Sequence, residues 1–330
     1  MKFHENILEI KNIDEVSKNL QEFIKEQVFD KFKRQGIIIG ISGGIDSAVV
    51  AYLSTKAIGP ERVIGLIMPE KDSDPNSKIL AEKIVKKLGI NSEEIDLTPI
   101  LESFDVYKIR DSIVKRNFPQ FNENCKFRMV LGGNLLEKDG PFFPYLEVID
   151  DKKVVHKVKL NFKDYNTITA ATTIKHRTRM TLLYFFAEKN YYIVMGTTNK
   201  NESVQGYYVK YGDGGVDVEP LLNIYKTQVF QLARYLGVTN EIIQRSPSPD
   251  TWSFEVNDEE FFYKLPYKLV DLLWYANENN IPIKEIETTL GVKSDQIKRI
   301  ITDQKRKWKN SQHMREMPPS WGSNIIQLEK

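Results

Sequence analysis

Apolar side chains recur along this chain at two alternating periods, and the alternation predicts its elements. Ile7, Leu8, Ile10, Ile13, Val16, Leu20, Phe23 and Ile24 keep a helical spacing that leads into a helix over 13–34. The apolar run at 37–41 reads as a buried strand, 46–57 as a helix, and 62–68 as a second strand stopped by Pro69. That is one βαβ unit. The polar run from Asp72 to Ser77 caps a helix over 77–88, which Gly89 ends. A short strand follows at 95–97, a helical pattern at 98–117, and a long helix at 173–189 that runs into a strand at 191–195. Strands separated by helices at this spacing imply an α/β fold: a doubly wound parallel sheet covered on both faces, with its ligand crevice at the carboxyl ends of the strands. The loops after the strands at 37–41 and 191–195 both fall at such ends, so they are expected to meet although about 150 residues separate them.

Residues 119–166 break the rhythm. Strand patterns at 127–131, 145–149 and 154–160 predict a small antiparallel β-hairpin insertion, the last two strands joined at Asp150-Asp151-Lys152-Lys153. A lid, an oligomer contact, a substrate-selecting element and a passive surface hairpin are all open readings of such a segment. Beyond about residue 251 the chain turns helical again, near 267–280 and 294–310, and the aromatic run Phe261-Phe262-Tyr263 reads as core of a C-terminal packing module reaching residue 330.

Composition narrows the classes without choosing among them. With 330 residues and 41% hydrophobic content, the chain can bury a large core. No stretch reaches the ~18 apolar residues of a membrane span, and the first residues lack an apolar signal core, so cytoplasmic residence is expected. The single cysteine, Cys125, excludes an internal disulfide and a thiolate metal cluster. A formal charge of +2 gives no electrostatic case for nucleic acid.

The chemistry begins behind the first strand, in Gly40-Ile41-Ser42-Gly43-Gly44-Ile45-Asp46-Ser47. Two adjacent glycines let the backbone turn, a helix starts at once, and its unpaired amide groups attract an anion. The hydroxyls of Ser42 and Ser47 can add hydrogen bonds, and Asp46 offers a carboxylate to a phosphate-bound cation. Neither the Gly-Lys-Ser/Thr ending of the common nucleoside-triphosphatase loop nor the third glycine of the dinucleotide fingerprint is present. The pattern Ser-Gly-Gly-x-Asp-Ser resembles the pyrophosphate loop of ATP pyrophosphatases, which cleave ATP to AMP and pyrophosphate.

A second cluster follows the strand at 191–195: Gly196-Thr197-Thr198-Asn199-Lys200-Asn201-Glu202, then Gly206-Tyr207-Tyr208-Val209-Lys210-Tyr211-Gly212-Asp213-Gly214-Gly215-Val216-Asp217. Together with residues 39–47, 173–180, 220–237 (with Tyr225-Lys226-Thr227-Gln228), 246–250 and 313–319, these stretches resemble the synthetase domain of the NAD synthetase family. Its members amidate nicotinic acid adenine dinucleotide with ATP and ammonia. The resemblance spans nearly the whole chain outside the insertion and implies one synthetase domain over 1–330. It implies that residues 40–47 hold ATP phosphates, that Thr197, Lys226 and Ser248 contact ATP, and that Asp46 and Glu202 bind Mg²⁺. It further implies that Arg177, Lys210, Asp217, His313 and Met314 contact the dinucleotide acid. Asp46 and Lys226 would serve catalysis through the phosphates. Asp217 would lie near the acyl group, as a proton acceptor or a binding group.

The resemblance also implies a homodimer, because the family's acid site lies at a two-fold interface. Only 36 residues precede the first strand, too few for the amidohydrolase domain of glutamine-dependent relatives, so free ammonia or a separate partner is expected to supply nitrogen. Three features differ from the usual pattern: the insertion, Thr173 where asparagine is common, and Met314 where a basic residue is common. All three touch the acid side. An amide ligase that adenylates a different carboxylate in a specialised pathway is therefore the alternative reading.

Overall fold

A computed structural model describes residues 2–137 and 143–321, leaving the tip of the inserted segment and the last residues of the C-terminal module outside it. The chain runs α1 (Ile13–Glu26), β1 (Ile37–Gly40), α2 (Ile45–Ile58), β2 (Val63–Ile67), α3 (Pro75–Leu88), β3 (Asn91–Glu94), α4 (Thr98–Ser103) and α5 (Val106–Asn117). Next come β4 (Lys126–Leu131), β5 (Pro144–Ile149), β6 (Val155–Lys159), α6 (Phe162–Asn190), β7 (Ile193–Met195), α7 (Lys200–Gln205), α8 (Lys226–Leu236) and α9 (Asn240–Gln244). The C-terminal module contains α10 (Tyr267–Glu278), α11 (Ile283–Leu290), α12 (Ser294–Asn310) and α13 (Gln312–Arg315).

The main sheet has the order β3-β2-β1-β7, all parallel, with Ile37 beside both Val63 and Ile193. Strands β1, β2 and β7 are apolar on both faces because both faces are covered there. Ile37 and Ile39 point into a core shared with α2, α3 and α8, whereas Ile38 and Val194 point into a second core with Tyr107 of α5 and Ala171 and Ala187 of α6. The strand period of two sends successive isoleucines to opposite layers. Helix α2 is almost wholly buried, which explains why its sequence lacks a polar stripe.

Several boundaries differ from the sequence expectation. The strand expected at 95–97 is β3, and it lies at 91–94. Its four residues are all exposed at the sheet edge, so no buried face marks it in sequence. The helical pattern at 98–117 is two helices, parted at Asp105, whose φ of 54° no helix accepts. Helix α1 ends earlier than expected and passes into a π-helical turn over Gln27–Lys31.

The largest difference is α6, expected from residue 173 and found from 162. Asn161 caps it, accepting from the Asp164 amide at 2.9 Å. Its first turns are rich in threonine, and Thr169 and Thr172 return their hydroxyls to the carbonyls of Tyr165 and Ile168.

Strands β4, β5 and β6 form a three-stranded antiparallel sheet. It is not a free-standing hairpin. Phe127, Met129, Leu146 and Val148 share a core with Ile113 and Val114 of α5, Ile168 of α6, and Trp252 and Val256. The C-terminal helices form a fourth core with Phe3, Leu8 and Tyr225, which joins the two ends of the chain.

Between the main sheet and the small one lies a buried polar knot. Lys175 donates to Glu70 Oε1 and Asp72 Oδ2, each at 2.7 Å, and to the Thr251 carbonyl at 3.2 Å. Arg110 pairs with Asp72, and Tyr107 donates to Glu70 Oε2 at 2.7 Å. Removing one partner of such a set leaves buried charge uncompensated, which costs about 3–5 kcal/mol. Lys175→Met should therefore lower unfolding stability by about that amount in urea titration, and a loss below about 1 kcal/mol would show that the knot is not integral.

Candidate active site

The loop after β1 is shaped by close approach. Gly43 has φ 77°, and a Cβ there would lie 2.3 Å from the Ser77 carbonyl oxygen of α3, so only glycine fits. The loop is braced by its own serines. The Ser42 amide donates to Ser47 Oγ at 3.3 Å, the Gly44 amide donates to Ser42 Oγ at 3.2 Å, and the Ser47 hydroxyl reaches the Gly44 carbonyl at 3.1 Å. Gly44 caps α2 without a side chain, which leaves the first-turn amides of α2 free for an anion.

Three helix starts converge here. Asp46 stands in the first turn of α2, Glu202 in the first turn of α7, and Lys226 opens α8. Asp46 accepts from Lys226 Nζ through Oδ2 and from Asn199 Nδ2, at 3.1 Å, through Oδ1. Asn199 caps α7 and is held in a reciprocal box with Glu202, whose Oε2 accepts the Asn199 amide at 2.9 Å.

Charge is unbalanced at this point. Burial, with the Asp46 charge added and Lys226 opposing, pushes the Glu202 carboxyl well above the usual range. Burial likewise raises Asp258, although it accepts from the Tyr207 and Tyr267 hydroxyls at 2.9 and 3.0 Å. Burial would lower Lys226, but Asp46, Glu202 and Asp258 outweigh it and hold it above its ordinary value. One lysine thus faces three carboxylates. The surplus of carboxylate oxygen suits a hard divalent cation accompanied by phosphate, so Asp46 and Glu202 fit the metal pair expected from sequence.

Two cavities open at the carboxyl ends of the strands. The larger, about 450 Å³, includes Ser42, Gly44, Ile45, Asp46, Ser47, Glu202 and Ser248. Its far wall is apolar and comes partly from the small sheet: Met129, Leu131 and Pro144, with Trp252, Phe261 and Phe262. The smaller, about 210 Å³, lies over Gly40, Ile41, Met68, Leu183, Met195 and Gly196. Thr197, His176 and Asp213 border both.

The nucleotide-side residues expected from sequence are therefore brought together, with Lys226 supporting Asp46 from behind. The acid-side residues are not. Arg177 is exposed on α6 and donates to Thr173 Oγ1 at 3.2 Å. Lys210 donates to the His313 carbonyl at 2.6 Å, and a Cβ on Gly206, at the rim of the larger cavity, would lie 3.7 Å from Met314 Sδ. Lys210, His313 and Met314 thus cluster beside α7, outside both cavities. Asp217 also lines neither. Its carboxylate accepts from the Tyr184 hydroxyl at 3.0 Å and the Val194 amide at 2.8 Å, so it braces β7.

Sequence reasoning passed over three groups. Asp258 sat in a segment read as aromatic packing, and Glu219 carried no motif. His176 stands within a helical pattern that marks no chemistry of its own. Asn199 and Glu202 did carry a signal, the polar cap with an acid three residues on.

The sequence profile of the NAD synthase family matches residues 16–136 and 144–318, which includes most of the segment 119–166. The chain belongs to the NAD synthase family. An NH(3)-dependent NAD(+) synthetase from Mesorhizobium japonicum is 37% identical over 89% of this chain and 92% of its own length. One from Rhizobium rhizogenes is 34% identical over 86% of this chain and 85% of its own. Among solved structures, the NMN synthetase of Francisella tularensis superposes with TM-score 0.64 at 24% identity, covering 93% of this chain and 98% of that one, a likeness of fold.

Glu219 gives this NAD synthase fold a pH signature. It supports the 196–198 turn, accepting the Thr198 amide at 3.0 Å, and a Cβ on Gly196 would collide with its carboxyl. Burial pushes its carboxyl up from 4.5 to about 8. A folded pKa above the unfolded one means that the folded protein keeps a proton the unfolded chain has lost. Stability is then full below about pH 4.5 and falls as pH rises toward about 8. Melting temperatures across that window should decline, and Glu219→Gln should flatten the decline; an unchanged slope in the variant would reject Glu219 as its source.

Proposed function

We propose that this chain is an ammonia-dependent NAD synthetase, amidating nicotinic acid adenine dinucleotide to NAD with release of AMP and pyrophosphate from ATP. The observation that carries the reading is the meeting of the 42–47 loop with Asp46, Lys226 and Glu202 at the mouth of the strands, in a chain whose relatives bear that activity in their names. A ligase for a different carboxylate in a specialised pathway is not favoured by those names.

Ammonia does not displace hydroxide from a carboxylate, so the acid first attacks the α-phosphorus of ATP and becomes an acyl adenylate. Pyrophosphate leaves over the 42–47 loop, where the first-turn amides of α2 face the charge it carries away and the buried Lys226 ammonium, paired with Asp46, adds positive charge behind them; such preorganised help is worth several kcal/mol in a transition state. Asp46 and Glu202 would hold Mg²⁺, which when bound supplies charge neutralisation at phosphate oxygens. Adenosine fits the smaller cavity at the strand ends, with Thr197 at its edge, and Ser248 contacts the phosphate side. The acid fits the larger cavity against the apolar wall, with its remote half leaving past Gly206 toward Lys210, His313 and Met314.

We also propose a homodimer. Phe104, Ile109, Phe162 and Phe185 are exposed at 53%, 42%, 78% and 58% around α5 and α6, and α6 also carries Arg177. Phe162 and Phe185 lie 23 residues apart on α6, so an interface that covers both would run along the length of that helix. Sedimentation should give a dimer at micromolar concentration, and Phe185→Glu should shift it toward monomer. A wild-type monomer would remove the partner from the acid site.

The activity itself is checked by products. Protein with ATP, Mg²⁺, ammonium and nicotinic acid adenine dinucleotide should yield NAD, AMP and pyrophosphate in equal amounts, with nicotinic acid mononucleotide run in parallel as the competing acid. Asp46→Asn should cut turnover at least about 100-fold in a protein that still melts cooperatively, at a lowered temperature because Lys226 loses its partner. Formation of ADP would overturn the mechanism, and preference for the mononucleotide would overturn the assigned acid.

A further inference from the structure

We infer that His176 is the general base of the second half-reaction, accepting the proton that ammonia sheds as it attacks the acyl adenylate. The inference rests on the synthetase reading and concerns a step for which the resemblance offers Asp217, whose carboxylate already accepts from the Tyr184 hydroxyl and the Val194 amide.

Position is the first argument. If adenosine fills the smaller cavity and the acid the larger, the carbon–oxygen bond to AMP forms and breaks where the two cavities join. Ser42 and Thr197 stand at that junction, and so do His176 and Asp213. His176 reaches it from α6, and the turn at Gly212 is packed on its Cβ, since a Cβ on Gly212 would lie 2.9 Å away. The close approach of the Gly212 turn places the base of the His176 side chain where both chambers border it.

Availability is the second argument. The other acids that border the cavities are engaged. Asp46 is paired with Lys226 and Asn199, Glu202 caps α7, and Asp258 receives two tyrosine hydroxyls. Asp213 accepts the Val209 amide at 2.8 Å, and Asp250 accepts the Asp74 amide at 2.9 Å. The His176 imidazole makes no hydrogen bond among the described residues; Asp213 Oδ1 lies 3.7 Å from its Nδ1, outside hydrogen-bond range yet close enough to favour the imidazolium once formed.

Protonation state agrees. Burial first, then the charges of Arg179, Lys175 and Arg177 on its own helix, lower the imidazole below its usual range, against Asp213 alone. Lys78 of α3 and Asp250 share the smaller cavity with it, and Glu202 the larger. A neutral ring is the form able to take a proton.

The step balances without a further reactant. The ammonia lone pair forms the carbon–nitrogen bond, the tetrahedral intermediate passes one proton from its ammonium nitrogen to the His176 imidazole, and the carbon–oxygen bond to AMP breaks with its electron pair on the phosphate. His176 then returns the proton to solvent.

The test separates the two halves of the reaction in the full-length protein, with His176→Asn and His176→Gln as paired variants checked by thermal melts. Each protein is loaded with ATP, Mg²⁺ and nicotinic acid adenine dinucleotide without ammonia, and pyrophosphate release is timed in a single turnover. Ammonium is then added and amide formation is timed. Both variants should lose about 100-fold or more in amide formation while pyrophosphate release changes less than about twofold. Hydroxylamine, whose conjugate acid is stronger than ammonium, should recover most of the lost rate. Equal amide rates in variant and wild type overturn the inference. So does parallel loss of both halves, which would make His176 a binding group. If the wild type itself releases no pyrophosphate, the synthetase reading fails and the inference with it, a result told apart by the silence of the unmodified protein.

Discussion

The ion pair between Lys226 and Asp46 is the contact on which the nucleotide side depends, because it sets a lysine at a place where a helix would otherwise reject it. Lys226 opens α8, where the helix dipole disfavours a cation, and it is buried as well. Both costs are met by carboxylates that arrive on other helices: Asp46 from α2, Glu202 from α7, and Asp258 from the segment before α10. Each of the first two stands in a first turn, where the dipole favours an anion. The arrangement ties segments from Asp46 to Asp258, about two-thirds of the chain, to one small volume. It also leaves that volume with more carboxyl groups than cations, and a dication carrying phosphate would favour their ionised forms.

Legibility in the sequence followed locality. Strands β1, β2 and β7 were plain because a strand buried on both faces is apolar throughout, and α2 and α3 because their glycine and capping signals sit next to them. Strand β3 was displaced by a few residues because an exposed edge strand has no apolar face to mark it. The start of α6 was missed because its threonines satisfy themselves against their own backbone and leave no stripe.

The site divides in the same way. The 40–47 loop is one continuous run, so its turn and helix start could be read directly. Lys226 and Glu202 were placed only through resemblance. Asp258, Glu219 and His176 matter because of partners on other elements, and nothing adjacent to them in sequence announces those partners. Asp217 shows the converse: a residue beside a recognisable motif whose side chain is spent on Tyr184 and the β7 backbone.

Helix α6 carries a mechanical consequence. Its 29 residues make a rod of about 43 Å. At its start, Ile168 packs with the small sheet; midway, Lys175 is anchored in the knot with Glu70 and Asp72, and His176 overlooks both cavities; farther on, Ala187 packs with β1 and β7. Three separately packed regions share this one straight member, so the place of the imidazole is set against the small sheet, the buried knot and the main sheet together.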